Sequence, residues 1–297
     1  MGSKVHIKFI YNPAAGRGKA GRHAGEVERY LVSRGASVEV HRSRSPADLT
    51  QTAAESSAAG YDRVVICGGD GSVHLAVREF DLSRGVLAVI PMGSGDDFAR
   101  VTGIPRTLRA ACDTVLDGRI REVDVATANG TRYIGVAGLG FDSEVSAYAQ
   151  KVKVLRGSIV YLYSILRVLP LFTPHRVRMR TEAGLREEEI MFAVVGNSRQ
   201  YGGGIRIVPA AEIDDGILDI CIVHRTSRFQ LLITLPRAYN GTHVRKPFVE
   251  TGRGRVFHFE SDRLLDVYAD GEYVTKTPVS FGMEKAKLKV VVSRDEA

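Results

Sequence analysis

Hydrophobic and polar positions over roughly the first 120 residues alternate between short apolar runs and segments of helical period. Val5, Ile7, Phe9 and Ile10 predict a first strand, ended by Asn12-Pro13. Residues 20–33 predict a helix that stops near Gly35, and residues 36–41 a second strand. Residues 46–59 predict a second helix, with Ser45 as N-cap and Pro46 at its first position. Residues 63–67 form a short continuous apolar run, the mark of a buried parallel strand. Residues 72–80 predict a helix and 86–90 a fourth strand. Strands separated by helices imply an open α/β sheet with crossover connections.

After Gly118 the pattern turns strand-rich. Residues 122–127, 132–137, 176–181, 188–195, 218–223, 256–259, 264–269 and 288–292 predict strands, and 143–154, 158–169 and 227–237 predict helices. Antiparallel hairpins account for this most simply. The boundary is expected near residues 121–123. That gives an α/β domain over 1–122 and a β-rich, sandwich-like domain over 123–297, with the last strand free to return to the first domain.

Composition narrows the classes. The 297 residues are 44% hydrophobic and 25% charged, which excludes global disorder, collagen and a disulfide-stapled miniprotein. Lys plus Arg exceed Asp plus Glu, 41 against 34, for a net charge of +7, which favours an anionic partner such as a nucleotide, nucleic acid or acidic membrane. Cys67, Cys112 and Cys221 lie far apart with no CxxC spacing, as expected of buried thiols in a reducing cytoplasm. No signal peptide is expected. Gly2 lacks the Ser or Thr that myristoylation wants where His6 stands, and Met1-Gly2-Ser3 reads as a cloning remnant. The longest apolar stretch, 158–172, carries Arg167 and Pro170 and is too short to span a bilayer, so a soluble or peripheral protein is expected. The eight histidines show no HxxxH or HExxH spacing, so no zinc site is expected, and His74 is expected on a helix surface. The basic residues are dispersed and no nucleic-acid motif occurs, so no nucleic-acid partner is expected.

The candidate chemistry lies in loops that follow strands. Gly68-Gly69-Asp70-Gly71-Ser72 stands between the third strand and a helix. Glycines there admit phosphate oxygens to the backbone, the helix offers free N–H groups, and Asp70 can help hold a magnesium ion. A tight connecting turn explains a lone glycine loop equally well. Pro91-Met92-Gly93-Ser94-Gly95-Asp96-Asp97-Phe98 follows the fourth strand, and Asn12-Pro13-Ala14-Ala15-Gly16-Arg17-Gly18-Lys19 the first. Three such loops on one sheet edge favour a nucleotide-phosphate site over three coincidences.

The ordered set resembles the catalytic domain of the diacylglycerol kinase and sphingosine kinase superfamily, in its branch of small bacterial soluble lipid kinases. Asn12–Gly16, Gly68–Ser72, Pro91–Arg100, Gly138–Asp142, Asp214–Asp219 and Asp270–Glu272 carry the likeness, which covers nearly the whole chain. The glycine motif at Gly68 alone is shared with NAD kinases and phosphofructokinases, whose open sheet the first domain is expected to have. Family members often carry Thr-x-Asn-Glu where Ser72-Val73-His74-Leu75 stands, and Asn-Asp where Asp96-Asp97 stands.

The resemblance implies a two-domain kinase that uses ATP and Mg²⁺. Asn12, Pro13, Ala14, Ala15, Gly16, Arg17, Ser43, Gly68, Gly69, Asp70, Gly71, Ser72, Gly93 and Ser94 would hold the nucleotide. Asp70 and Asp97 would hold the catalytic magnesium, directly or through water. A structural magnesium would take the Asp215 side chain and the Glu212 and Ile217 carbonyls, although Asp214-Asp215-Gly216 also reads as a plain turn. By the residues alone Asp270-Gly271 signals a β-hairpin; by resemblance Glu272 is the general base, with Asp270 beside it.

The implied function is phosphoryl transfer from ATP to the hydroxyl of a lipid such as diacylglycerol. The implied place is the cytoplasm, peripheral to the inner face of the membrane. A lipid substrate and an anionic membrane surface are the expected partners, with a homodimer as a further one. Two other functions compete: a kinase for a soluble acceptor, as in NAD kinase, and a non-catalytic nucleotide sensor. In the stretch 158–172 the Tyr161 and Leu162 region suits either an acyl groove, a bilayer contact or a buried helix. The basic group His175, Arg176, Arg178 and Arg180 suits an anionic interface or the solvent face of a strand.

Overall fold

The structure, a computed structural model, describes residues 4–152, 158–182 and 184–294. The readings made on Met1, Gly2 and Ser3, and on the end of the helix at residues 153 and 154, lie outside the described residues. The chain divides into two compact units, residues 1–124 with 285–297, and residues 125–284.

The first unit is an α/β layer structure. Its strands are β1 (His6–Tyr11), β2 (Ser37–Arg42), β3 (Arg63–Gly68), β4 (Val86–Pro91), β5 (Arg119–Val123) and, from the far end of the chain, β17 (Leu288–Val292). Their order across the sheet is β2-β1-β3-β4-β17-β5. Every neighbouring pair is parallel except β17 with β5. The continuous apolar runs are explained by burial on both faces: Ile7, Phe9, Val65 and Ala88 are buried on one, and Ile10, Val64, Ile66 and Leu87 on the other. Helices α1 (Ala15–Ser33), α2 (Pro46–Ala58), α3 (Asp70–Val77), α4 (Asp97–Val101) and α5 (Leu108–Asp117) complete the unit. Ser45 caps α2, accepting the Asp48 N–H at 3.1 Å.

The second unit is built on an antiparallel sheet with the path β15-β14-β8-β10-β9-β13-β16-β6-β7, and with β11 and β12 branching from β10. Its strands are β6 (Ala126–Ala128), β7 (Thr131–Tyr133), β8 (Val136–Gly140), β9 (His175–Thr181), β10 (Gly184–Gly196), β11 (Leu218–His224), β12 (Val249–Gly254), β13 (Phe257–Ser261), β14 (Asp266–Ala269), β15 (Glu272–Lys276) and β16 (Val279–Met283). Its helices are α6 (Phe141–Lys151), α7 (Ser158–Val168) and α8 (Arg228–Ala238), the last opened by a capping box at Ser227 and Gln230. One core, with Tyr133, Phe259 and Phe281, lies within the sheet layers. A second, with Phe141, Ile165 and Val223, lies under the helices.

Three single strands expected from the sequence differ. Residues 122–127 divide between β5 and β6, which belong to different sheets, because the chain leaves the first unit at Asp124. Residues 132–137 divide into β7 and β8 at a bend over Ile134-Gly135. Residues 264–269 pair only from Asp266 onward. Helices α4 and α5 and strands β12 and β16 were not expected; β12 is broken by glycine and arginine, which carry little strand signal.

Candidate active site

Because β1 to β4 run parallel, the loops after them gather at one edge of the sheet, where α/β proteins bind ligands. Asn12 ties two of these loops together. Its Oδ1 accepts the Ala14 N–H at 3.0 Å and its Nδ2 donates to Ser72 Oγ at 3.1 Å. The turn Pro13-Ala14 is closed by the Ala15 N–H bonding the Asn12 carbonyl at 3.0 Å. Gly16, Arg17 and Gly18 then take φ of 56°, 57° and 84°, so the regular helix begins only after them. A Cβ on Gly16 would lie 1.9 Å from the Met92 carbonyl oxygen, which brings the first loop against the fourth. Arg17 and Lys19 are exposed.

The loops after β3 and β4 pack backbone to backbone. A Cβ on Gly69 would stand 2.9 Å from Gly93 Cα, and one on Gly93 would stand 2.7 Å from Gly69 Cα. Gly68 is equally closed, with 2.5 Å to Ser72 Oγ. The Met92 N–H bonds the Gly68 carbonyl at 2.8 Å. Gly71 and the buried Ser72 lie in the first turn of α3, and Ser94 is exposed on the neighbouring loop. Ser43, just past β2, is buried, its N–H on the Tyr11 carbonyl at 3.0 Å and its hydroxyl on the Ser45 carbonyl at 3.1 Å.

Three carboxylates concentrate here. Asp70 accepts the Phe98 N–H at 3.0 Å, Asp96 accepts the Gly93 N–H at 2.7 Å, and Asp97 is buried at the start of α4. Burial, and then the charges of Asp97 and Asp96, push the Asp70 carboxyl up to about 6. Three hard oxygen donors gathered at neighbouring loops are a set that fits a divalent cation. Asp96 stands where family members often carry Asn, and its left-handed φ of 51° and its bond to Gly93 make it the residue that shapes the loop. His74 is buried, not on the helix surface, because α3 turns that face toward the interior.

In the second unit Asp270 and Gly271 form the expected hairpin turn between β14 and β15, with φ of 51° and 84°. The Asp270 carboxylate accepts three main-chain bonds: Ile134 N–H at 3.0 Å, Gly135 N–H at 2.9 Å and Val136 N–H at 3.0 Å. Its own N–H returns to the Val136 carbonyl at 2.9 Å. Glu272, two residues on, is half-buried and accepts from Gln150 at 3.4 Å. Asp142, at the end of the Gly138 motif, is buried against the Tyr201 hydroxyl, and burial pushes it up to about 6.

Asp215 stands apart from this hairpin motif. It accepts the Ile217 N–H at 3.0 Å and pairs with Arg253, which also reaches Asp219 at 3.4 Å. Burial raises the Asp219 carboxyl, and the charges of Asp215 and Glu212 raise it further. Glu212 is exposed. The donor set is of the oxygen type that magnesium takes, with Arg253 as the counter-charge. The arginines of β9 prove to be a solvent face: Arg176 pairs with Glu187, and Arg178 with Glu187 and Glu260.

The diacylglycerol kinase catalytic domain profile matches residues 6–128, and that of the YegS C-terminal NAD kinase beta sandwich-like domain matches 135–292. A diacylglycerol kinase of Mycobacterium tuberculosis (strain ATCC 25618 / H37Rv) is 33% identical over 296 residues, 97% of this chain and 95% of its own. The chain belongs to the diacylglycerol kinase family. A further relative, the diacylglycerol kinase of Bacillus subtilis (strain 168), is 27% identical over 98% of this chain and 97% of its own. A crystal structure from Bacillus anthracis str. Sterne superposes with a TM-score of 0.84, covering 99% of this chain and 97% of that one. At 24% identity that likeness speaks for the fold alone. The family fold is thus an α/β domain with a mainly parallel sheet followed by an antiparallel β-rich domain.

Proposed function

We propose that this chain is an ATP-dependent lipid kinase, transferring the γ-phosphoryl group to the hydroxyl of a lipid such as diacylglycerol at an anionic membrane surface. The observation that carries this is the glycine-to-glycine packing of the loops after β3 and β4, with Asp70 between them and α3. Side chains are excluded there, so phosphates can approach the main chain and the N-terminus of α3 closely. Asn12 through Arg17, Ser43, Gly68 through Ser72, Gly93 and Ser94 bind the nucleotide. Asp70 and Asp97 would hold magnesium, directly or through water, and the ion would supply charge neutralisation to the phosphates.

Glu272 accepts the lipid hydroxyl proton as that oxygen bonds to the γ-phosphorus and the bond to ADP breaks. Asp270 is a positioning residue, because its oxygens are committed to three N–H groups. The Asp215 side chain and the Glu212 and Ile217 carbonyls would hold a structural magnesium once Arg253 released Asp215. The family membership and the names of the relatives support the same reading.

The test is transfer of labelled γ-phosphate into a total lipid extract, with the product identified by mass spectrometry and NAD as the competing acceptor. Label is expected in a lipid with a free hydroxyl, and Asp70→Ala is expected to abolish it. Label in NAD alone, or undiminished turnover in Asp70→Ala, overturns the proposal.

A further inference from the structure

Helix α6 packs against β8 and β14. Ser143, Ala147 and Gln150 stand at i, i+4 and i+7 and so share one of its faces. The start of the helix is fixed on that sheet: the Ser143 hydroxyl donates to the Gly138 carbonyl of β8 at 2.6 Å, and Asp142 accepts the Tyr201 hydroxyl. β8 pairs with β14, and β14 runs into the turn Asp270-Gly271. In the last turn of α6, Gln150 is the residue that meets this turn.

The contact has two parts. Gln150 Nε2 donates to the Gly271 carbonyl at 2.7 Å and to Glu272 Oε2 at 3.4 Å. A carbonyl and a carboxylate are both acceptors, so the amide must turn its NH₂ end toward them, one hydrogen for each. The first bond holds the peptide unit that leads into Glu272, and with it the direction in which that side chain leaves the backbone. The three N–H bonds of Asp270 hold the turn on its other side. None of these main-chain bonds chooses among the rotamers of Glu272. The second N–H of Gln150 acts there, since it sets the way the carboxylate faces. Its length is of the kind that tightens when substrate binds.

A neutral donor suits a base. A positive partner favours the ionised carboxylate and makes it a poorer proton acceptor. An amide orients the same group at a smaller cost to its basicity.

We propose that Gln150 is a positioning residue for phosphoryl transfer: its amide fixes the peptide ahead of Glu272 and aims the Glu272 carboxylate at the acceptor hydroxyl. The inference rests on the reading of Glu272 as the proton acceptor.

The experiment is steady-state kinetics of the full chain with labelled ATP–magnesium and a short-chain diacylglycerol dispersed as monomer. Gln150→Met and Gln150→Glu keep the length of the side chain and lose its N–H donors, so a packing role would survive in both. Each should lower kcat about tenfold or more and leave the KM for ATP within about twofold. Gln51→Met is the matched control, because Gln51 donates to Glu55 at 2.9 Å on α2 in the same exposed manner, and it should keep the wild-type kcat. Gln150 is exposed, so the melting temperatures should match the wild type. The decisive measurement is a double-mutant cycle. In the Glu272→Gln background, Gln150→Met should change kcat by less than about twofold, because it acts through a group already removed. A wild-type kcat in Gln150→Met beside a fallen kcat in Glu272→Gln overturns the positioning role and leaves the proton acceptor standing. Fully additive losses overturn it too, since Gln150 would then act by itself. A wild-type kcat in Glu272→Gln, or a wild type that labels no lipid, overturns the proton-acceptor reading and this inference with it.

Discussion

At the scale of single residues, glycine is the informative type at the nucleotide edge, and for steric reasons more than for its φ. At Gly69 an added Cβ meets main-chain atoms of Gly93, and backbone cannot swing aside as a side chain can. Gly69→Ala should therefore push the two loops apart, costing about 1–3 kcal/mol of stability and raising the KM for ATP tenfold or more. Gly130→Ala is the matched control, because that glycine has φ of 82° but nothing within 4 Å of its Cβ position. It should cost about 1 kcal/mol and leave KM unchanged. Urea unfolding and steady-state kinetics on the pair measure both. Asp142 makes a pH prediction. Its carboxyl is pushed up to about 6 from 3.8, so the folded state holds its proton where the unfolded state has lost it. Its contribution is fully present below the lower value and is lost as pH rises through about 6. Asp142→Asn, which cannot ionise and can still accept from Tyr201, should match the wild type near the lower limit. Above the upper limit it should exceed the wild type by at most about 3 kcal/mol, followed by denaturant midpoints across pH.

At the scale of elements, the β14–β15 hairpin does two separable jobs. Asp270 fastens it to the bend between β7 and β8 through three N–H bonds, while Glu272 starts the next strand. Asp270→Ala should cost on the order of 3 kcal/mol, because N–H groups of that bend lose their acceptor, and turnover should fall with it. Glu272→Gln should leave the melting temperature near the wild-type value and lower kcat by about 10²–10⁴-fold if it is the proton acceptor. Equal loss of stability in both variants would make Glu272 a scaffold residue as well. The same hairpin shows what was legible in advance. The Asp270-Gly271 turn is a local signal, and it is where the sequence puts it. The break of residues 132–137 is not local: the acceptor that stabilises the bend at Ile134-Gly135 comes from a residue distant in the chain. Likewise the loops after β1, β3 and β4 could be assigned to one edge from strand–helix alternation, but not the role of Asp96, which depends on a left-handed turn next to Gly93. Arg253 opposite Asp215 follows from the pairing of β11 with β12, and β12 itself gives almost no strand signal.

At the scale of the whole molecule, the chain is not divided where composition changes. The α/β pattern ends near Gly118, yet the first sheet is completed by Leu288–Val292, inserted between β4 and β5. Periodicity alone could not decide this, since a buried apolar run suits either sheet. The profile for the second domain extends to residue 292 and so includes a strand that the fold assigns to the first unit. Leu288, Val290, Val291 and Val292 are all buried there, and β4 and β5 have no direct pairing to fall back on. The first unit is thus discontinuous in sequence and the second continuous. A chain cut after residue 284 should therefore fail to form a cooperative first unit, because it exposes the apolar edges of two strands and loses on the order of several kcal/mol of burial. Residues 125–284 alone contain every strand of the second sheet and both of its cores, so they should melt in a single transition. Supplying residues 285–297 through a short flexible linker after residue 124 should restore folding and nucleotide binding to the first unit. Calorimetry on the three chains, with ATP–magnesium titrated into the first and third, tests this directly. Nucleotide binding by the chain that ends at 284 would show that the sheet's carboxyl edge forms without its fifth strand.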